Sequence, residues 1–156
     1  MRPVKVLGVV LVMLVIASSA RSRSHYGDAH ADPTTALNGR TPVPETVMST
    51  VRHACFDCHS NETRWPWYSA LPIASSLIER DVREARGQIN FSRWTEYNPL
   101  DRADMLDKVC ELAANRKMPP LPYRMLHSKA RLSERDVDEL CAWSRREAMR
   151  LVEGGS

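Results

Sequence analysis

Residues 55–59 read Cys-Phe-Asp-Cys-His, and this segment restricts the chain more than any other. Two thiols three positions apart, followed at once by an imidazole, come within reach of one flat ligand. Both sulfurs can bond the ligand's edge while the histidine sits beneath its centre. That is the attachment signal of a c-type haem: Cys55 and Cys58 form thioethers to the two vinyl groups, and His59 gives the iron a nitrogen ligand. A redox dithiol would call for a βαβ context, which the surrounding pattern lacks. A zinc site would need a second ligand pair, but Cys110 and Cys141 stand 31 residues apart with no partner beside either.

The N-terminus supports the haem reading, because haem is attached to such motifs outside the cytoplasm. Arg2 and Lys5 form a short basic start. Val6 to Ala17 is apolar except at Gly8, and Ala17-Ser-Ser-Ala20 supplies small residues for cleavage. The apolar run is shorter than the roughly 20 residues of a spanning helix. Residues 1–20 are therefore expected to be a signal peptide cut after Ala20, with an uncleaved membrane anchor as the alternative. In either case the basic start stays inside and the rest of the chain is exported, to the periplasm or the outer face of the cytoplasmic membrane.

Without Arg2 and Lys5 there are 20 basic and 19 acidic side chains, so the balance points to no nucleic acid partner. Residues 21–43 are polar and aperiodic and read as a flexible linker. The haem-binding domain is expected over 44–153. Pro44-Glu45 suits a helix start, and Val47, Val51 and Ala54 recur at helical spacing. A second helix fits Ile73 to Arg86, with Ile73, Leu77, Ile78 and Val82 on one face and Gly87 as its stop. A connector follows, containing Phe91, Trp94 and Tyr97. A third helix fits Leu100 to Arg116, with Leu106, Val109, Cys110 and Ala113 inward. Met118-Pro-Pro-Leu-Pro122 is expected to be extended, since proline removes a donor and crowds the preceding turn. Ser133 and Asp136 form a capping box for a last helix ended by Gly154-Gly155, with Val137, Leu140, Cys141 and Leu151 inward. No segment alternates with period two, so the expected fold is all-α, about four helices around one covalent haem.

Met118 is the leading choice for the iron's second protein ligand. It lies in a proline-stiffened loop that can cross the far face of a haem, although a methionine is commonly a core gap-filler. His127 is its rival. Trp65 and Trp67 either wall the haem or belong to ordinary core, and Arg64 either pairs with a propionate or is a surface charge. Cys110 and Cys141 fall on apolar helix faces, as an inter-helix disulfide or as buried thiols.

The chain resembles the bacterial haem-binding-domain family of small c-type cytochromes. The likeness runs through Ala54-Cys-Phe-Asp-Cys-His-Ser-Asn-Glu-Thr-Arg-Trp-Pro-Trp-Tyr68, Arg80-Asp-Val-Arg-Glu84, Asn90-Phe-Ser-Arg-Trp94, Lys117-Met-Pro-Pro120, and Leu126-His127 leading to Ala130-Arg-Leu-Ser133. It covers roughly residues 43–145. It implies a helical cytochrome-c-like fold, Cys55 and Cys58 as attachment points and His59 as axial ligand. Met118-Pro119 is also similar to the distal-ligand segment of class I cytochromes c. Cysteines at 110 and 141 depart from the aliphatic residues the family leads one to expect.

The reading that results is an exported one-electron carrier with one haem c per chain and His59/Met118 ligation. On this reading no substrate turnover is expected, and electrons are expected to pass to and from a redox partner protein. The competing reading is a haem-based sensor or ligand-binding module whose sixth ligand is labile or absent. A disulfide-exchange protein is a third.

Overall fold

The structure is a computed structural model that describes residues 34–154, together with Gly8, Met13 and Asp32. Apart from Gly8 and Met13, the expected signal or anchor segment lies outside the described residues. So do the first residues of the expected linker. The described residues are helical and contain no strand. None of their helices is long and apolar enough to cross a membrane.

Seven α-helices are described: α1 (Leu37–Arg40), α2 (Glu45–Ala54), α3 (Phe56–His59), α4 (Pro72–Gln88), α5 (Pro99–Ala114), α6 (Leu121–Leu126) and α7 (Glu134–Gly154). Short 3-10 turns cover Trp67–Ala70, Phe91–Glu96 and Ser128–Ala130. The long helices begin where local chemistry favours it. Pro72 and Pro99 stand in first turns, where no N–H is needed. The Asn98 side chain accepts the Asp101 N–H at 2.9 Å. At α7 the capping box forms as its sequence implies: Asp136 N–H donates to Ser133 Oγ at 3.2 Å, and Ser133 N–H to Asp136 Oδ2 at 2.8 Å.

The core gathers the apolar stripes of α2, α5 and α7 around Phe91 and Trp94. Val47, Val51 and Ala54 of α2 are buried, as are Leu106, Cys110 and Ala113 of α5 and Leu140, Cys141 and Leu151 of α7. Cys110 and Cys141 are disulfide-bonded, with Cα atoms 4.7 Å apart, and pin α5 to α7 along their shared face.

Three expectations need correction. The stretch read as a linker is packed over its described end: Ala36, Leu37 and Thr41 are buried. Trp94 Nε1 donates to Thr41 Oγ1 at 3.0 Å, and Trp143 Nε1 to the Pro42 carbonyl at 3.1 Å. A single leucine and two indole partners anchor a stretch too polar to show periodicity. Gly87 does not stop α4, which runs to Gln88. The proline segment 118–122 is not extended throughout, because α6 starts at Leu121 and holds Pro122 in its first turn, the position proline tolerates.

The end of α5 aims the chain at the next segment. Arg116 takes a left-handed conformation, φ 56°. Its N–H reaches the Ala113 carbonyl at 3.0 Å while Lys117 N–H reaches Leu112 at 2.9 Å. This is a Schellman closure, with arginine where glycine is usual. The chain therefore turns at Asn115–Lys117, immediately before Met118.

Candidate functional site

Between α3, α4, α5 and the Met118 segment lies a cavity of about 1180 Å³. Its wall includes Cys55, Cys58 and His59, together with Met118, Pro119 and Tyr123. Val109 and Leu112 of α5, and Ile78 and Val82 of α4, supply apolar lining. This explains the apolar face expected on α4. Its inner part fronts the cavity instead of packed core, while Ile73 and Leu77 fall outside and are exposed.

Cys55 caps α2, and α3 follows immediately, so the motif sits at a helix-to-helix corner. Phe56 anchors that corner by stacking on Phe91, with ring centroids 5.8 Å apart. His59 then turns toward the end of α4. Its Nδ1 lies 3.1 Å from the Ala85 carbonyl and 3.2 Å from that of Ile89. Carbonyl oxygens only accept, so Nδ1 carries the hydrogen and Nε2 keeps the lone pair. A backbone contact of this kind fixes the tautomer and ring plane of a metal-binding histidine. Burial pushes the His59 imidazole below its ordinary value, against the smaller upward effect of the two carbonyls, so the ring favours the neutral form.

Both thiols are free cysteines on the cavity wall. Burial pushes Cys55 up to about 12, and the neighbouring Cys58 adds to that. Cys58 is pushed up to about 11, first by burial and then by Asp57 and Asp81. They are thiols, not thiolates, at neutral pH, which is the reverse of what rapid disulfide exchange needs. Cys110 and Cys141 are spent in their own bond and offer no second half to a zinc site. Among the described residues no three His, Cys, Asp or Glu side chains converge on one point.

Met118 lines the cavity and is 40% exposed. His127 is not part of the wall. Its Nε2 is hydrogen-bonded to Tyr68 Oη at 2.7 Å and its ring stacks on Tyr123. The rival to Met118 is therefore already engaged. Arg64 reaches the cavity but pairs with Asp57, Nε to Oδ1 at 3.0 Å. Trp65 and Trp67, expected at the cofactor, do not line the cavity; Pro66 and Tyr68 do. Trp67 opens the 3-10 turn Trp67–Ala70 and is 81% exposed.

The scaffold around the motif is built from residues that no motif in the sequence marks. Asp57, between the two cysteines, is buried and accepts from Arg64 and from the Tyr123 hydroxyl. Arg86 donates from Nε to the Ser60 carbonyl at 2.8 Å and from Nη2 to Thr63 Oγ1 at 2.9 Å. Asn90 Nδ2 donates to Asn61 Oδ1 at 2.9 Å. The run of small polar residues after His59 was the available signal, because buried polar groups need partners.

A helical domain that encloses so large a cavity, with an imidazole lone pair and two thiols on its wall, is a cofactor-binding domain. The chain belongs to the haem-binding domain family, whose profile matches residues 9–146. It is a haem-binding protein. No curated protein and no solved structure matches the chain. The residues present fit the cofactor. The cavity exceeds the range of about 300–1,000 Å³ typical of small-molecule sites, and the oriented imidazole faces no competing proton on Nε2.

Proposed function

We propose that the protein is an exported monohaem c-type cytochrome that carries single electrons between partner proteins. Cys55 and Cys58 would hold the haem through thioethers, and His59 Nε2 and the Met118 sulfur would be the iron's two protein ligands. One observation carries the reading above the others: the His59 ring is held with Nδ1 on two backbone carbonyls and Nε2 free, beside two free cysteines on the wall that also holds Met118. When bound, the haem supplies reversible exchange of one electron between Fe(II) and Fe(III). The chain's own part is to hold that centre in an apolar enclosure and limit rearrangement. The Cys110–Cys141 disulfide and the basic-then-apolar N-terminus both favour an oxidising compartment outside the cytoplasm. The raised thiol values weigh against disulfide exchange at Cys55 and Cys58.

An absorption spectrum of the purified protein in both redox states tests this. The oxidised form is expected to show a methionine–iron charge-transfer band that Met118→Ala abolishes. A high-spin oxidised spectrum, with carbon monoxide binding readily on reduction, would instead support the sensor.

The partner is expected to be acidic where it docks. From Leu112 to Ser133 the chain has Arg116, Lys117, Arg124, Lys129 and Arg131 but no carboxylate. None of the five is ion-paired among the described residues. The same segment contributes Met118, Pro120, Pro122 and Leu126 to the cavity wall, so a partner seated there approaches the haem closely. Ferricyanide should therefore react faster than a cationic ruthenium ammine. Raising salt from 0.01 to 0.15 M, which shortens the screening length from about 30 to about 8 Å, should slow it several-fold. Lys117→Glu with Lys129→Glu should remove most of that dependence; rates indifferent to salt and to both substitutions would rule out this docking face.

A further inference from the structure

The segment that carries Met118 is pinned at its ends by buried Pro119 and Ala130, while the short helix α6 between them presents apolar side chains outward. Leu121 and Met125 of α6, which do not line the cavity, are 61% and 68% exposed. A six-residue helix has no stability of its own, and the face of this one that carries Leu121 and Met125 is packed on nothing that would seat it. Arginines cross-link the segment internally: Arg116 Nη1 to the Leu132 carbonyl at 2.8 Å, Arg124 Nη2 to that of Arg116 at 3.2 Å, and Arg131 Nε to that of Arg124 at 2.9 Å.

Two hydrogen bonds join this unit to the region of the motif. The Tyr123 hydroxyl donates to Asp57 Oδ2 at 2.6 Å, and His127 Nε2 pairs with Tyr68 Oη at 2.7 Å. The rings of Tyr123 and His127 stack at 4.1 Å with their planes 12° apart, so both ties act on one slab at the two ends of a single helical turn. Their anchors are firm. Asp57 is buried and also accepts Arg64 N–H at 3.2 Å and Arg64 Nε at 3.0 Å. Tyr68 lies in the 3-10 turn Trp67–Ala70.

We propose that Asp57·Tyr123 and Tyr68·His127 are a two-point latch that seats the Met118 segment over the haem cavity. Tyr68 and Tyr123 are then positioning residues. They decide how much of the time Met118 occupies its place and how readily a small ligand from solvent reaches the iron. This rests on the cytochrome reading above, and it adds a gate to that reading: the aspartate inside the attachment motif holds down the segment that carries Met118.

The test uses the haem-loaded protein with Tyr68→Phe, Tyr123→Phe and both. Phenylalanine keeps the rings and removes only the hydroxyls. Amide hydrogen exchange reports the latch directly at Arg124 and His127, whose N–H groups bond the Pro120 and Tyr123 carbonyls. Exchange there should rise at least tenfold in the double variant. Exogenous imidazole should bind the oxidised form at least tenfold more tightly, and the melting temperature should move by only a few degrees. Unchanged exchange overturns the latch, and so does faster exchange with unaltered imidazole binding. If the double variant loses its helical spectrum, Tyr123→Phe alone is judged by the same two readouts. Failure of the underlying reading looks different. A protein that retains no covalent haem refutes the cytochrome assignment, and a wild type without the methionine band refutes Met118 ligation, while exchange at Arg124 and His127 still decides the latch.

Discussion

Replacing both Cys55 and Cys58 with serine is expected to turn a haem that survives denaturation into one that is lost. In the wild type, haem should run with the polypeptide on a denaturing gel and add its mass to the intact chain. The double variant should show neither. The expectation follows from how the site is assembled. His59 is oriented by the Ala85 and Ile89 carbonyls, 26 and 30 residues away in sequence, and Met118 comes from a separate segment again. Unfolding disperses these groups, so coordination alone cannot hold the cofactor to a denatured chain, whereas thioethers can. Each single variant should keep one bond and retain haem in denaturant. The double variant should also melt lower, since the apolar cavity wall then depends on a ligand that can leave. A wild-type chain that releases its haem completely in denaturant would refute covalent attachment.

Breaking the Cys110–Cys141 bond should cause a large loss of stability without touching the haem site. The bond closes a loop of 31 residues, for which the chain-entropy account gives about 3–4 kcal/mol at 25 °C. For a domain of this size that corresponds to roughly 10–20 °C in melting temperature. The loop it closes contains the whole Met118 segment and joins helices that already share an extensive face. Cys110→Ala with Cys141→Ala, or dithiothreitol on the wild type, should give the same loss, because a thiol reductant cleaves disulfides and leaves thioethers intact. Reductant should leave the double variant unaffected. A shift of less than about 1 kcal/mol in denaturant unfolding would mean that α5 and α7 packing alone holds the pair.

The helices were readable because their causes are local. Pro99 with Asn98, Ser133 with Asp136, and the i, i+3, i+4 stripe of Leu106, Val109, Cys110 and Ala113 each act within a turn or two. The motif at 55–59 was readable for the same reason, since its meaning is a spacing. Where the reading went astray, partners were distant or the cause was absence of packing. Thr41 is fixed by Trp94, 53 residues on, so its segment looked like linker. Trp67 looked like a cofactor wall because nothing in its sequence reveals which way a 3-10 turn faces.

By itself, then, the sequence determined an all-α fold, a Cys-x-x-Cys-His motif and a proline-stiffened segment that could approach it. Only the tertiary structure decided which nitrogen of His59 is free, that His127 is engaged by Tyr68, that Cys110 meets Cys141, and that Asp57 faces Tyr123. The physical reason is range. Caps and periodicity are satisfied within a few residues of backbone, but a buried donor or acceptor takes whichever partner packing brings to it, and here those partners lie 26 to 66 residues away.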